Sequence, residues 1–140
     1  MTDPELLAKR LAALQSYVEQ LRRLGRPELL TSDVKEERFI LHTLQLAMQS
    51  ALDIASHIVS DEWMGEPEKN RDLFLLLARE GWIGRDLALA LGEMTGMRNI
   101  LVHEYLMVDL EKVRRSLAED LDDLLDFAHS IRRRLTESNS

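Results

Sequence analysis

An arginine, a histidine and a tyrosine stand within eight residues of one another, at Arg98, His103 and Tyr105. These types suit phosphodiester chemistry. Arginine carries a permanent charge and a fork of donors that matches phosphate oxygens. Histidine titrates near neutrality and can take or give a proton. Tyrosine can donate a hydrogen bond, stack on a base or receive a modification. RNA cleavage of this kind needs no metal: the ribose 2′-hydroxyl attacks the neighbouring phosphate, histidine handles the proton and arginine stabilises the developing charge. The same residues also fit a plain reading. Arg98 would then be a surface ion-pair partner, His103 a capping or satisfied core histidine, and Tyr105 an amphipathic plug. Spacing alone does not separate the two.

Geometry adds a condition. On a continuous helix Arg98 and Tyr105, seven apart, lie on nearly the same face, whereas His103 points about 140° away from Arg98. One ideal helix therefore does not bring Arg98 and His103 together. Either the helix ends near Val102 and His103 turns back, or a second subunit supplies the complementary group.

Other candidates are weaker. Asp53 and His57 share a helix face at four-residue spacing. A metal reading would need a further ligand, and the remaining histidines are only His42, His103 and His129. The pair reads as a buried or interface hydrogen bond, with Asp53 also a candidate to orient His103. Asp61-Glu62 reads as the solvated end of a helix. Trp63 and Trp82 are expected to close the core edge, or one of them to sit at a subunit contact. Of the basic runs, Arg132-Arg133-Arg134 is explained by the dipole at the end of a final helix. Arg114-Arg115 is placed to contact a substrate backbone.

The elements that must position these residues are helical. Leu7, Leu11, Leu14, Val18 and Leu21 form a stripe from Pro4 to Leu24, with Asp3 as N-cap and Pro4 at the first helical position. Gly25 and Pro27 stop that helix. A second helix starts after Thr31-Ser32-Asp33 and runs to about Ser60. Its stripe is Ile40, Leu44, Ala47, Ala51, Ile54 and Ile58, widened by Phe39, Leu41, Met48, Leu52 and Val59, and it is expected to be the most buried. A loop at Trp63–Pro67 precedes shorter helices at about 68–79 and 84–102, and a last helix runs over about 109–135 with Asp109 as N-cap. The fold class is all-α: an up-and-down bundle of about five helices, with residues 1–140 forming a single domain.

Composition sets the limits. With 140 residues, 45% hydrophobic and 31% charged, the chain suits one globular core. Six Gly, three Pro and 5% aromatics argue against a many-stranded sandwich. Zero cysteines exclude disulfides and thiol chemistry. No stretch approaches the roughly 18 apolar residues of a membrane span, and Met1–Arg10 does not read as a signal peptide, so a cytoplasmic location is expected. Eighteen Lys and Arg against 25 Asp and Glu give a net charge of −7. That disfavours bulk coating of nucleic acid but leaves room for a small cationic site.

The segment Met97-Arg98-Asn99-Ile100-Leu101-Val102-His103-Glu104-Tyr105 resembles the signature of the HepT-like toxins of the HEPN superfamily. So do Gly81-Trp82-Ile83-Gly84-Arg85-Asp86-Leu87-Ala88 before it, Val108-Asp109-Leu110-Glu111-Lys112-Val113 after it, and Ala51–Ile58 earlier in the chain. The resemblance implies a homodimeric, metal-independent endoribonuclease of a type VII-like toxin–antitoxin pair, with two Arg–His motifs facing across a cleft. On that resemblance Arg98 binds and polarises the scissile phosphate, His103 is the general acid/base, and Asn99 orients substrate or His103. Tyr105 would receive AMP from a nucleotidyltransferase antitoxin. The adenylate would block the cleft by charge and bulk. No cofactor is implied.

Two rival readings use the same residues. In one, the chain is a non-catalytic partner subunit that binds nucleotide or substrate for a minimal nucleotidyltransferase. In the other, it is a helical scaffold that only oligomerises.

Overall fold

The computed structural model describes residues 2–103, 106 and 108–138, with the side chain of residue 138 left aside. Five α-helices follow in order: α1 (Pro4–Leu24), α2 (Val34–Asp61), α3 (Asn70–Arg79), α4 (Arg85–His103) and α5 (Leu110–Ser138). A single 3₁₀ turn, Pro27–Leu29, lies between α1 and α2. The all-α bundle expected from periodicity is what forms.

Helix starts follow side-chain chemistry. Asp3 accepts from the Glu5 and Leu6 amides at 3.0 and 3.3 Å, and Asp33 from Lys35 at 2.9 Å. Asp109 caps α5 through the Glu111 amide at 3.0 Å. The α3 start lies two residues later than the pattern suggests, because the Asp72 carboxylate accepts from the amides of Glu68 and Lys69 and holds them outside the helix.

Gly25 stops α1 for a different reason from the one expected. Its φ is −71°, not left-handed. A β-carbon there would lie 2.4 Å from the Leu21 carbonyl oxygen, so close approach is what requires glycine.

Helix α2 is the spine. Every residue of its expected main stripe is buried, and it packs against the four other helices. Burial of each large apolar side chain contributes roughly 1.5–3 kcal/mol, so this stripe sets the frame on which the other helices are hung. Phe74 of α3 and Phe127 of α5 meet edge to face across the core, with centroids 5.8 Å apart. Helix α5 continues to Ser138, past its expected end at Leu135.

The ends of α2 and α3 use one hydrogen-bond pattern. The Trp63 amide donates to Ser60 and Met64 to Val59; likewise Gly81 donates to Ala78 and Trp82 to Leu77. The left-handed residue is Gly81 (φ 79°) at one end and Trp63 (φ 54°) at the other. Trp82 is buried, and Arg134 stacks over its ring at 5.4 Å. Trp63 is 91% exposed, so of the two tryptophans only Trp82 closes the core edge.

Candidate functional site

Helices α2 and α4 pack against each other and bring Gln49 to the Arg98 side chain. Arg98 Nε–H donates to Gln49 Oε1 at 2.7 Å, and one NH1 hydrogen goes to Asn99 Oδ1 at 2.9 Å. The Gln49 amide nitrogen donates in turn to Asp53 Oδ1 at 2.8 Å. The result is a line running Asp53–Gln49–Arg98–Asn99. Arg98 and Gln49 are half-buried; Asp53 and Asn99 are exposed.

Among the described residues, both hydrogen-bond partners of the guanidinium are neutral amides. They fix its plane without cancelling its charge. With Nε and one NH1 hydrogen committed, NH2 and the second NH1 hydrogen are left to meet phosphate oxygens.

His103 is the last residue of α4 and is exposed. Because the helix passes Val102 without a break, His103 does not turn back toward Arg98. By helix geometry it lies about 140° around the axis and about 7.5 Å along it. Within one chain the arginine and the histidine face apart. Tyr105 lies outside the described residues.

Several expectations change. Asp53 and His57 do not bond to each other. Asp53 pairs with Gln49 one turn earlier, while His57 Nε2 lies 3.1 Å from Asp61 Oδ2 one turn later, near but out of line for a hydrogen bond. Asp61 is the last residue of α2 and half-buried, with the exposed Glu62 as C-cap, so the pair does form a helix end. Arg114 donates to the Pro27 carbonyl at 3.3 Å and pairs with Glu111, which ties α5 to the turn after α1.

Arg115 lines a groove of about 520 Å³ between α4 and α5, shared with Glu93, Glu119, Asp120 and Asp123. Burial first, then the neighbouring carboxylates, push Asp120 and Asp123 above the usual aspartate range; the Ser116 hydroxyl, 2.5 Å from Asp120, pulls that group back in part. Four carboxylates thus face two cations, Lys112 and Arg115, in this groove. Arg132–Arg134 sits inside α5 rather than in its last turn. Arg132 bonds Gln15 at 2.6 Å and Arg134 covers Trp82, so packing rather than the helix dipole accounts for those two.

Among the described residues, no three His, Asp or Glu side chains are grouped to hold a metal ion. Nor is any helix there long and apolar enough to cross a membrane.

The sequence profile of the family described as ribonuclease HepT-like matches residues 9–131, a span that includes the whole Asp53–Gln49–Arg98–Asn99 line. The chain belongs to the ribonuclease HepT-like family. This HepT-like chain is 27% identical over 129 residues to the mRNA nuclease HepT of Shewanella oneidensis, covering 91% of this chain and 97% of that protein. It is 29% identical over 113 residues to the tRNA nuclease HepT of Aphanizomenon flos-aquae, covering 79% and 77% respectively. Its fold matches that of a tri-AMPylated Shewanella oneidensis HEPN toxin in complex with MNT antitoxin, with a TM-score of 0.84, 28% identity, and 95% and 99% of the two chains covered.

Gln49 is the member of this line that the sequence does not single out. Glutamine carries no chemical signal of its own. Its four-residue spacing to Asp53, on the edge of the buried α2 stripe, was the available clue.

Proposed function

We propose that this chain is the endoribonuclease toxin of a toxin–antitoxin pair, working as a homodimer in the cytoplasm with residues 1–140 as one HepT-like domain. The observation that carries the reading is the guanidinium of Arg98, held by neutral amides with NH2 and the second NH1 hydrogen left for an anion. Membership of the ribonuclease family and the nuclease names of the relatives support it.

In this reading the RNA 2′-oxygen attacks the adjacent phosphorus as the bond to the 5′-oxygen breaks. One His103 takes the 2′-hydroxyl proton and the protonated His103 of a second copy returns one to the 5′-oxygen. Arg98 binds the non-bridging oxygens and stabilises the charge that builds there. A second copy answers the geometry of α4, on which Arg98 and His103 face apart. Asn99 and Asp53 act as orienting residues, and no metal ion takes part.

The partner in this reading is a nucleotidyltransferase antitoxin, supported by the solved toxin complex with MNT antitoxin. The Tyr105 oxygen attacks the α-phosphate of ATP, pyrophosphate leaves, and the attached AMP places a negative charge where substrate phosphate must bind.

The test is expression of wild type, Arg98→Ala and His103→Ala without any partner, followed by incubation of each purified protein with RNA in EDTA. Toxicity and RNA breakdown from wild type alone are expected. Harmless expression of all three, with nucleotide binding retained, would instead identify a non-catalytic partner subunit. A missing mass gain on Tyr105 after incubation with the antitoxin and ATP would sink the modification step.

A further inference from the structure

We infer that Gln49 is a positioning residue for Arg98: it sets the angle of the guanidinium while leaving its charge intact for a phosphate. The inference rests on the phosphate-binding role proposed for Arg98.

The chemistry of the contact leaves little choice of side chain. Arginine is a donor only, and the Asp53 carboxylate is an acceptor only. A group bridging them must accept on one side and donate on the other, which an amide does. The bonds of 2.7 Å to Arg98 and 2.8 Å to Asp53 also fix which way the amide points, with its oxygen toward Arg98. Asp53 therefore acts on the arginine through Gln49, locking the amide from behind.

A carboxylate at position 49 would bind Arg98 more strongly but would compete with the substrate for its charge and repel Asp53. An aliphatic residue would leave Nε–H without its partner and let the guanidinium swing. The two changes thus separate in kinetics. Gln49→Leu should lower kcat roughly tenfold to a hundredfold, since a charged hydrogen bond that aims the group is lost. Gln49→Glu should act mainly by raising KM. Adding Asp53→Asn should restore part of that loss, because an amide at position 53 can donate to the carboxylate introduced at position 49.

The test is a double-mutant cycle with a conservative arginine change. Lysine at position 98 has no Nε–H fork for Gln49 to hold, so Gln49→Leu should cost less than about twofold in an Arg98→Lys background. An equal loss in both backgrounds, or a Gln49→Leu enzyme within twofold of wild type, overturns the inference. Thermal melts exclude a folding defect, and Gln49→Glu serves if the leucine variant does not fold.

A second readout needs no RNA cleavage. The ¹⁵Nε–¹Hε resonance of Arg98 should be slow to exchange with solvent in wild type and fast in Gln49→Leu. If wild type cleaves no RNA, the nuclease reading falls and this resonance alone decides. An unchanged resonance overturns the positioning role.

Discussion

Arg98 on α4 and the Arg132–Arg134 run on α5 use the same residue type to opposite ends. Arg98 is held at Nε and at one terminal nitrogen, NH1, by two neutral amides from α2 and its own helix. Arg132 is held at one terminal nitrogen, NH2, by Gln15 of another helix, α1. Arg134 sits over the Trp82 ring. One region fixes the plane of an arginine by two bonds that include Nε, with NH2 left over. The other uses its guanidinium groups to join distant parts of the chain. A count of basic residues would favour the α5 run as the RNA contact; the way each guanidinium is held favours Arg98.

The largest expected effect bears directly on that contrast. Arg98→Ala should lower RNA cleavage by roughly a thousandfold, the scale for removing a group that stabilises transition-state charge. Arg132→Ala and Arg134→Ala should leave cleavage within about twofold while lowering the melting temperature. A loss of cleavage from the α5 variants comparable to that of Arg98→Ala, in folded protein, would break the comparison.

Next in size is Trp82→Ala. It should cost about 3 kcal/mol of stability, measured by urea unfolding, because a buried indole and the seat of Arg134 are lost together. Trp63→Gly should do the reverse, adding about 1 kcal/mol, since a residue other than glycine is held at φ 54° with its side chain in solvent.

The smallest effect concerns the acidic side of α5. Asp123 is held above the usual range by burial and by Asp120, Asp126, Asp122 and Glu119, so its charged form is disfavoured in the folded state. That penalty is full at neutral pH, eases as pH falls through the raised value, and vanishes below the ordinary 3.8. Asp123→Asn should therefore raise the melting temperature slightly at pH 7 and leave it unchanged below that limit. A gain that persists in acid would point to a cause other than charge.

Most of the bundle was legible from periodicity and caps, because the α2 stripe and the Asp3, Asp33 and Asp109 caps are local signals. The misses share a physical cause. Asp72 reaching back to two amides delays α3, and the closeness of the Leu21 carbonyl selects Gly25; both depend on atoms that only the folded chain places. Asp53 and His57 share a face, yet Asp53 bonds Gln49 one turn earlier, and His57 Nε2 lies beside Asp61 out of line for a bond. The Arg98 contact with Gln49 spans 49 positions. Arg98, Asn99 and Asp53 could be singled out by type, but the line that links them passes through a residue with no signature.

Trp63 and Trp82 also give the molecule two optical probes of opposite character. One indole stands almost wholly in water at the edge of α2, and the other is enclosed beneath a guanidinium. Their emission is separable by wavelength and by an aqueous quencher. The red-shifted component reports whatever settles on the α2 end, and the blue-shifted one reports whether α5 is still seated on the bundle.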